Sequence, residues 1–576
     1  MLKWVQGYRR EDFTADALAA VIVTLMLIPQ SLAYALLAGL PAQAGLYASM
    51  APLIAYALLG SSRVLAVGPV AVVSLMTAAT IGTHAPAGSP QYWEAALALS
   101  AMSGLMLLAM GALRMGFIAN FLSHPVISGF VTASAVLIAA SQLKGLLGIR
   151  AEGQDLLHLL PSLLKALPDV HWLTALIGGV TLGWLAFARS RLRGLLMKLG
   201  LARGRADMLV KAAPVLAIVV ATALSANLDW AAQGVKVVGH IPAGLPEGSL
   251  PSFDLALWQS LLVPALLISI VGFVESVSVG QTLAAKRRER IEPDQELIAL
   301  GASNLAAAVT SGMPVTGGFA RSVVNFDAGA RSPAAGLMTA AGIALAALLL
   351  TPWLAQLPQA VLAATIVIAV LSLVDVSVLT RTWGYSRADF AAVIMTLLGT
   401  LGLGVEAGLI AGVATSLILF LLRTSRPHIA EVGWVPGTEH FRNVQRHAVI
   451  TSPELISLRV DESLYFANAR ALEDAVNAAL ARKPELRHVV LLASAINDID
   501  ASALESLEAI EARLSQAGVR LHLSEVKGPV MDRLASTHFL KTLSGQVFLS
   551  HFQAIAALSP ESLTSTGLVP KSIHAT

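Results

Sequence analysis

Fourteen apolar stretches follow one another over the first three quarters of the chain, and they restrict the possible folds more than any other feature. A helix needs about 20 apolar residues to cross a bilayer, and several of the stretches are shorter than that. Because 56% of the residues are hydrophobic and 13% are charged, against about 25% charged in soluble domains, we predict an integral membrane protein. This excludes a cytosolic enzyme, a secreted domain and a nucleic-acid-binding protein. The stretches cover 17–38, 43–60, 65–82, 92–113, 117–141, 171–188, 208–228, 256–284, 295–311, 317–330, 333–350, 355–380, 388–402 and 405–422.

Charged residues divide the chain into two parts. Residues 1–430 hold 46 of them and residues 431–576 hold 29, which is about 11% and about 20% of each part. We therefore predict an N-terminal segment over 1–16, a transmembrane domain over 17–426, a soluble domain over 437–557 and a tail over 558–576. The chain has no cysteine, which excludes disulfides, thiolate metal sites and cysteine nucleophiles.

The loop charges predict the orientation in the membrane. With fourteen alternating spans and a cytoplasmic N-terminus, 21 lysines and arginines fall on the cytoplasmic side and four on the other side. Positive residues concentrate in cytoplasmic loops, so both termini are predicted to be cytoplasmic. The four residues on the outer side are Lys144, Arg150, Lys165 and Lys236.

Two places in the first half of the chain interrupt a simple helical bundle. Pro29 removes a hydrogen bond within the first span, and Gln30 places a polar amide beside it, with Tyr34 one turn further along. Gln30 could instead bond a neighbouring helix, and Tyr34 could simply pack. In the third stretch, Gly68-Pro69 and Val70 precede a short helical run. This pattern predicts a half-helix that starts inside the protein and offers free N–H groups to an anion.

The second half of the chain contains a similar interruption and a carboxylate at depth. Glu275 lies eleven residues before Lys286, the first residue of a basic cluster, or roughly 16 Å into the membrane. A carboxylate there is expected to be functional. Further on, Gly317-Gly318 breaks the chain and a short helix begins near Phe319, with Arg321 in its first turn. Arg321 could contact the anion, pair with Glu275 or bond backbone carbonyls.

The two breaks fall in the third and tenth of fourteen spans, seven spans apart. Two half-helices with converging positive ends are typical of inverted-repeat transporters, whose substrate lies between them. Paired N-termini with Arg321 favour an anion. The sequence therefore predicts a secondary anion transporter.

Several blocks of the sequence resemble the SulP family of anion transporters, across nearly the whole chain. PQSLAYALLAGLPAQAGLYAS resembles the family's first-span signature and GSSRVLAVGPVAVVSL its third. ESVSVGQTLAAKRRERIEPDQELIALGASNLAAA and GGFARSVVNFDAGARSP resemble the sulfate-permease branch. The resemblance implies fourteen spans in a 7+7 inverted repeat, with core and gate domains, elevator-type movement and a homodimer.

The resemblance also implies roles for particular residues. Ala320 stands where many relatives have serine, so only its backbone N–H would reach the anion. Glu275 matches a carboxylate implicated in proton coupling in sulfate symporters. The predicted substrate-binding residues are Gln30, Tyr34, Val70, Phe319, Ala320 and Arg321.

The C-terminal part resembles a STAS domain, a module related to anti-sigma-factor antagonists. Its sequence predicts a strand and an amphipathic helix, a buried strand and a second helix, and then a third strand. Ser502 aligns with a serine that is phosphorylated in the antagonists, although Ala503 replaces the usual glycine. Ser502 could instead be a helix N-cap.

The sequence thus leads to a multi-pass transporter of a bacterial inner membrane that takes up sulfate with protons. Bicarbonate, chloride or dicarboxylate transport or exchange, with sodium in some cases, stays open, as does a membrane-anchored STAS signalling protein. No cofactor or metal is expected, because the histidines lack metal-ligand spacing. An enzyme is not expected either, because no nucleophile and base are paired.

Overall fold

The computed structural model describes Trp4 and residues 8–120, 123–153 and 155–564. Residues 565–576 of the predicted tail and most of residues 1–7 lie outside the described residues. The chain divides into two compact units, 1–416 and 417–576.

Helices account for most of the first unit, and each of the fourteen predicted stretches coincides with a helix or an adjacent pair of helices. Among the described residues, seven helical segments have the length and hydropathy to cross a membrane by themselves. The helices and strands are α1 Arg10–Leu37, α2 Ala42–Tyr47, α3 Ala51–Leu59, β1 Val67–Gly68, α4 Ala71–Ile81, α5 Pro90–Ala112, α6 His124–Leu147, α7 Leu156–Ala166, α8 Trp172–Phe187, α9 Arg193–Lys198, α10 Arg203–Leu228, α11 Leu255–Lys286, α12 Pro293–Val309, β2 Thr316–Gly317, α13 Phe319–Asp327, α14 Ala334–Leu349, α15 Thr351–Leu354, α16 Gln359–Leu371, α17 Ser377–Tyr385, α18 Arg387–Leu403 and α19 Val405–Thr424.

Helix boundaries differ from the apolar pattern where proline and glycine decide them. The stretch predicted over 117–141 is the helix His124–Leu147, because Pro125 favours the first turn and Gly148 ends the helix at φ 70°. Helix α1 continues through Pro29, so that proline removes a hydrogen bond without breaking the span.

The two predicted breaks meet each other in the structure. Strands β1 and β2 pair antiparallel, with Val67 opposite Gly317 and Gly68 opposite Thr316. Helix α4 starts three residues after β1, and α13 starts two residues after β2. The pairing satisfies backbone groups that would otherwise be unpaired inside the membrane domain.

A buried carboxylate that the sequence analysis did not single out holds the chain before β1. Glu296 on α12 is fully buried and accepts hydrogen bonds from the Tyr56 hydroxyl at 2.8 Å, the Ser61 N–H at 2.9 Å and the Ser62 N–H at 3.2 Å. Ser61 Oγ also donates to it at 2.7 Å. The entry to the first broken segment is therefore fixed to the second half of the chain.

The second unit contains a six-stranded sheet in the order β4-β3-β5-β6-β7-β8. The pairs β5–β6, β6–β7 and β7–β8 are parallel, and β3 is antiparallel to both neighbours. The three strands and two helices predicted from the sequence are β5, β6, β7, α20 and α21; the strands β3, β4 and β8 were missed. The elements are β3 Ile429–Trp434, β4 Phe441–Asn443, β5 Leu455–Val460, α20 Ala469–Arg482, β6 His488–Leu492, α21 Ala501–Gln516, β7 Arg520–Ser524, α22 Gly528–Ala535, α23 Phe539–Thr542, β8 Val547–Phe548, α24 His551–Leu558 and α25 Glu561–Thr564.

Two buried histidines support this sheet in their neutral form. His551 lies between the hydroxyls of Ser524 and Ser457, at 2.8 and 2.9 Å, and burial lowers its pKa to about 4. His522 accepts from the Gln546 N–H at 3.0 Å. Burial, with the nearby positive groups, lowers its pKa to about 4 as well.

Acid should therefore loosen this sheet. A folded-state pKa below the unfolded value of about 6.5 means that the unfolded chain takes up protons first, so stability falls as pH drops from about 6.5 toward 4. The cost is roughly 2 kcal/mol per histidine by pH 5. Hydrogen exchange of β6 and β7 in the full chain, corrected for intrinsic rates, should show reduced protection at pH 5. His522→Gln should reduce this pH dependence, whereas a change of the exposed His440 to Gln should not.

Candidate functional site

A cavity lies where the N-termini of α4 and α13 face each other across the paired strands. Its volume is about 50 Å³. All seven residues that the sequence analysis selected for substrate binding and proton coupling line it. The complete lining is Gln30, Tyr34, Pro69, Val70, Ala71, Val72, Glu275, Gly318, Phe319, Ala320, Arg321, Ala369, Val370 and Leu373.

The two half-helices present uncapped N-termini to the cavity. Val70 is the N-cap of α4 and Gly318 that of α13, and neither helix has a side-chain cap. The first N–H groups of a helix have no acceptor within it, and they carry partial positive charge. Two such ends at one cavity form a site suited to an anion.

Arg321 bonds the backbone of both broken segments. It is 3% exposed. Its Nε donates to the Ala66 carbonyl at 2.8 Å and its Nη1 to the Pro69 carbonyl at 2.9 Å. Its Nη2 donates to the carbonyls of Gly68 and Thr316, at 2.7 and 2.9 Å. Four of the five guanidinium N–H groups are thus used, which matches the backbone role left open by the sequence, while the positive charge stays on the cavity wall.

Close packing around this guanidinium requires small residues. A Cβ on Gly318 would come within 2.7 Å of Arg321 Nε, and one on Gly68 within 3.0 Å of Nη1. Gly68 also has φ 155°, which favours glycine. The two glycines identified from the sequence as breaks are therefore needed for the arginine to reach the carbonyls.

Glu275 faces the cavity from the middle of α11. It is partly exposed, and it forms no hydrogen bond or ion pair with any described residue. An ion pair with Arg321, one of the alternatives from the sequence, is therefore absent among the described residues. The next residue fixes the helix: Ser276 Oγ accepts from the Gly317 N–H at 2.8 Å and lies 2.8 Å from Thr316 Oγ1.

Gln30 and Tyr34 lie one turn apart on α1 and complete one wall. Neither side chain forms a hydrogen bond with a described residue, so the alternative in which Gln30 bonds a neighbouring helix is not seen in the described part of the chain. Both polar groups are free to contact a ligand.

Sequence reasoning missed two groups of residues at this site. Ala369 and Val370, in the last turn of α16, and Leu373, two residues after it, also line the cavity and carry no polar signal that would mark them. Ser322 and Asn325 on α13 bond the chain before β1 through the Ala66 N–H at 3.0 Å and the Val64 carbonyl at 3.0 Å.

In the second unit, Ser502 is exposed in the first turn of α21. The interpretation of Ser502 as the N-cap is wrong: Asp500 occupies that position and accepts from the Ala503 N–H at 2.8 Å. The phosphorylation of Ser502 stays a prediction. In the part of the chain that the structure describes, no group of three or more His, Asp or Glu residues could hold a metal ion.

Comparison with known proteins places these features in a class. The model of the sulfate permease family matches residues 13–396, and the STAS domain model matches residues 447–554. A helical membrane domain with this cavity and a C-terminal STAS domain defines a multi-span anion transporter. The chain belongs to the sulfate permease family, whose members are transporters and not enzymes, as the sequence predicted.

Relatives and solved structures agree with this assignment. The chain is 33% identical over 588 residues to sulfate transporter 4.1, chloroplastic, of Arabidopsis thaliana, which covers 100% of this chain and 84% of the relative. It is 32% identical over 547 residues to a probable sulfate transporter of Mycobacterium tuberculosis, and the match covers 93% of this chain and 95% of the relative. The structure of SLC26A9 superposes with a TM-score of 0.87 at 23% identity, over 98% of this chain and 94% of that one. The predicted fold class, a 7+7 inverted repeat with a STAS domain, is confirmed.

Arg321→Lys should destabilise the membrane domain. A lysine has three donors on one nitrogen and cannot serve four carbonyls placed around a planar guanidinium, so buried acceptors are left unpaired at about 1–3 kcal/mol each. The midpoint of thermal unfolding in detergent should fall by several degrees. Arg381→Lys, at an exposed position, is the matched control and should leave it unchanged; equal midpoints for the two variants would contradict this role of Arg321.

Proposed function

We propose that this protein takes up sulfate together with protons across a bacterial inner membrane. The observation that carries the proposal is that two uncapped helix N-termini and an unpaired carboxylate, Glu275, line the same cavity. The names of the relatives, among them plant and mycobacterial sulfate transporters, support sulfate as the anion.

The anion is bound mainly by backbone groups. The N–H groups at the start of α4 and α13 donate to its oxygens, the fixed charge of Arg321 adds attraction, and the Gln30 amide and Tyr34 hydroxyl supply further donors. Ala320 lies exposed in the first turn of α13 and contributes only its backbone N–H.

Protons are needed because sulfate carries two negative charges. Entry of each charge against a negative interior costs about 2.3 kcal/mol per 100 mV. Two or more protons that enter with the anion cancel or reverse this cost. Glu275 is the carboxyl group at the cavity, and in our proposal it carries a proton during inward movement.

The transport step is an elevator-type movement of the core against the gate. The α16 wall of the cavity consists of Ala369, Val370 and Leu373, so sliding past it breaks no hydrogen bond to these side chains.

The assembly in the membrane is a homodimer with both termini in the cytoplasm. The domain layout stays as predicted: 1–16, 17–426, 437–557 and 558–576. Ser502, exposed at a helix N-terminus that favours phosphate, is the proposed regulatory position.

Uptake of labelled sulfate into proteoliposomes, with and without an inward proton gradient, tests the function. Concentrative uptake that collapses with an uncoupler supports it. Absence of sulfate entry under both conditions would reject sulfate, and the same vesicles would then be tested with bicarbonate, chloride and dicarboxylates, with and without sodium. Binding of anions without any transport would favour the signalling alternative.

Glu275→Gln should abolish accumulation driven by a pH gradient, because an amide cannot take up or release the coupling proton. Exchange of internal for external sulfate should persist, because the helix ends and Arg321 remain. Glu94→Gln, the same change at an exposed position outside the cavity, should accumulate sulfate as the unchanged protein does. Unchanged pH-driven uptake by Glu275→Gln would contradict the role of this residue.

Ala320→Ser should tighten sulfate binding, because it adds a hydroxyl at a position where residue 320 itself offers only its backbone N–H. One added hydrogen bond to a charged group is worth about 1.5 kcal/mol or more, so KM for sulfate should fall by about tenfold or more, with kcat little changed. The initial rates of sulfate uptake at several sulfate concentrations give KM. Ala328→Ser, beyond the far end of the same helix, serves as the control.

A further inference from the structure

A second cavity lies beside the same helices and carries a different charge pattern. It has a volume of about 480 Å³ and lies between α1, α4, α6 and α16. Lys144, Arg150 and Lys236 line it, with Glu152 as the acidic residue in its lining.

These three cations are unusual for this chain. The sequence places only four lysines and arginines on the non-cytoplasmic side, against 21 on the other. Three of the four converge on one cavity; Lys165, on α7, is not part of its lining. Isolated basic residues at the membrane surface would explain one such position, but not three brought together from α6, the loop after it and the loop between α10 and α11.

The cations also lack protein partners. None of the three side chains forms a hydrogen bond or ion pair with a described residue, although the charges of Glu152 and Lys236 both act on Lys144. Clustered like charges repel each other, and one carboxylate leaves a net charge of about +2 on the wall. The Lys236 backbone is fixed, because its carbonyl accepts from the Gln359 N–H at 2.9 Å. Such a site attracts an anion from solution.

The cavity continues the path from the candidate site. On α1 the central cavity contacts Tyr34, and the second contacts Leu36 and Leu37. On α4 the contacts shift from Val72 to Leu75 and Ala78, a movement of one to two turns toward the predicted outer end. On α16 they shift from Val370 to earlier residues of the helix, also toward the outer side.

We propose that this cavity is an outer vestibule in which Lys144, Arg150 and Lys236 bind a divalent oxyanion before it reaches the central site. Two parts of this inference rest on the proposed function: that the cavity faces the outside of the cell, and that its ligand is a divalent oxyanion. The vestibule raises the local anion concentration and thereby speeds entry, and its effect weakens as salt screens the charges.

The absence of cysteine allows a direct test that does not require transport. Ser141 lines the vestibule, so Ser141→Cys places a single thiol there. In intact cells, the reaction rates of this thiol with a negatively and a positively charged methanethiosulfonate reagent are compared. Their ratio reports the local potential, because any change in thiolate content affects both reagents equally.

The ratio should favour the anionic reagent, and Lys144→Gln, Arg150→Gln and Lys236→Gln together should lower it by roughly tenfold at low ionic strength. Lys165→Gln is the matched control and should leave it unchanged. Sodium sulfate should slow labelling more than sodium gluconate of equal ionic strength does, and this protection should be lost in the triple variant.

Two results would overturn the inference: the same reagent ratio in the triple variant and in Lys165→Gln, or equal labelling in sulfate and gluconate. A thiol that reacts only in opened cells would overturn the outward sidedness. Charge-selective, sulfate-protected labelling of a protein that fails to transport sulfate would instead reject the proposed function and keep the vestibule.

Discussion

The antiparallel contact between two interrupted spans is the interaction on which the rest of the membrane domain depends. Breaking a helix inside a membrane exposes carbonyl and N–H groups that water cannot reach. Here β1 and β2 satisfy part of that requirement by pairing, and Arg321 donates to four carbonyls of the same two segments. The starting points of α4 and α13 are therefore fixed relative to each other.

The same contact couples the two halves of the chain. Ser276 and Thr316 bind α11 to β2, while Glu296 on α12 holds the segment before β1. Glu275 consequently faces the cavity from a helix that hydrogen bonds attach to one of the two half-helix starts. A carboxylate and an anion site held this closely give a physical basis for coupling the two, because a change in charge at one is felt at the other across a region with little water.

The arginine illustrates how one residue can serve structure and binding together. Its hydrogen bonds are directed to the backbone, while its charge acts over a longer distance on whatever occupies the cavity. Sequence reasoning identified the residue and left its partners open, because a guanidinium in a first helical turn has several acceptors within reach. Gly68 and Gly318 lie against the guanidinium and have no side chain that would displace it. The guanidinium can therefore reach the backbone carbonyls, and these are the acceptors that it uses.

Hydropathy and backbone chemistry are local properties, so the fourteen apolar stretches and the breaks at Gly68-Pro69 and Gly317-Gly318 could be read from the amino-acid sequence, and resemblance identified the STAS domain. It also identified Gln30, Tyr34, Glu275 and Arg321, since polar groups inside apolar helices stand out. The folded structure was needed to show that these residues share one cavity, that the end of α16 lines it with apolar side chains and that Lys144, Arg150 and Lys236 line another. Asp500 as the N-cap in place of Ser502 was likewise a matter of backbone geometry. The residues brought together in this way lie as far apart in the chain as Gln30 and Leu373, and no local pattern encodes such contacts.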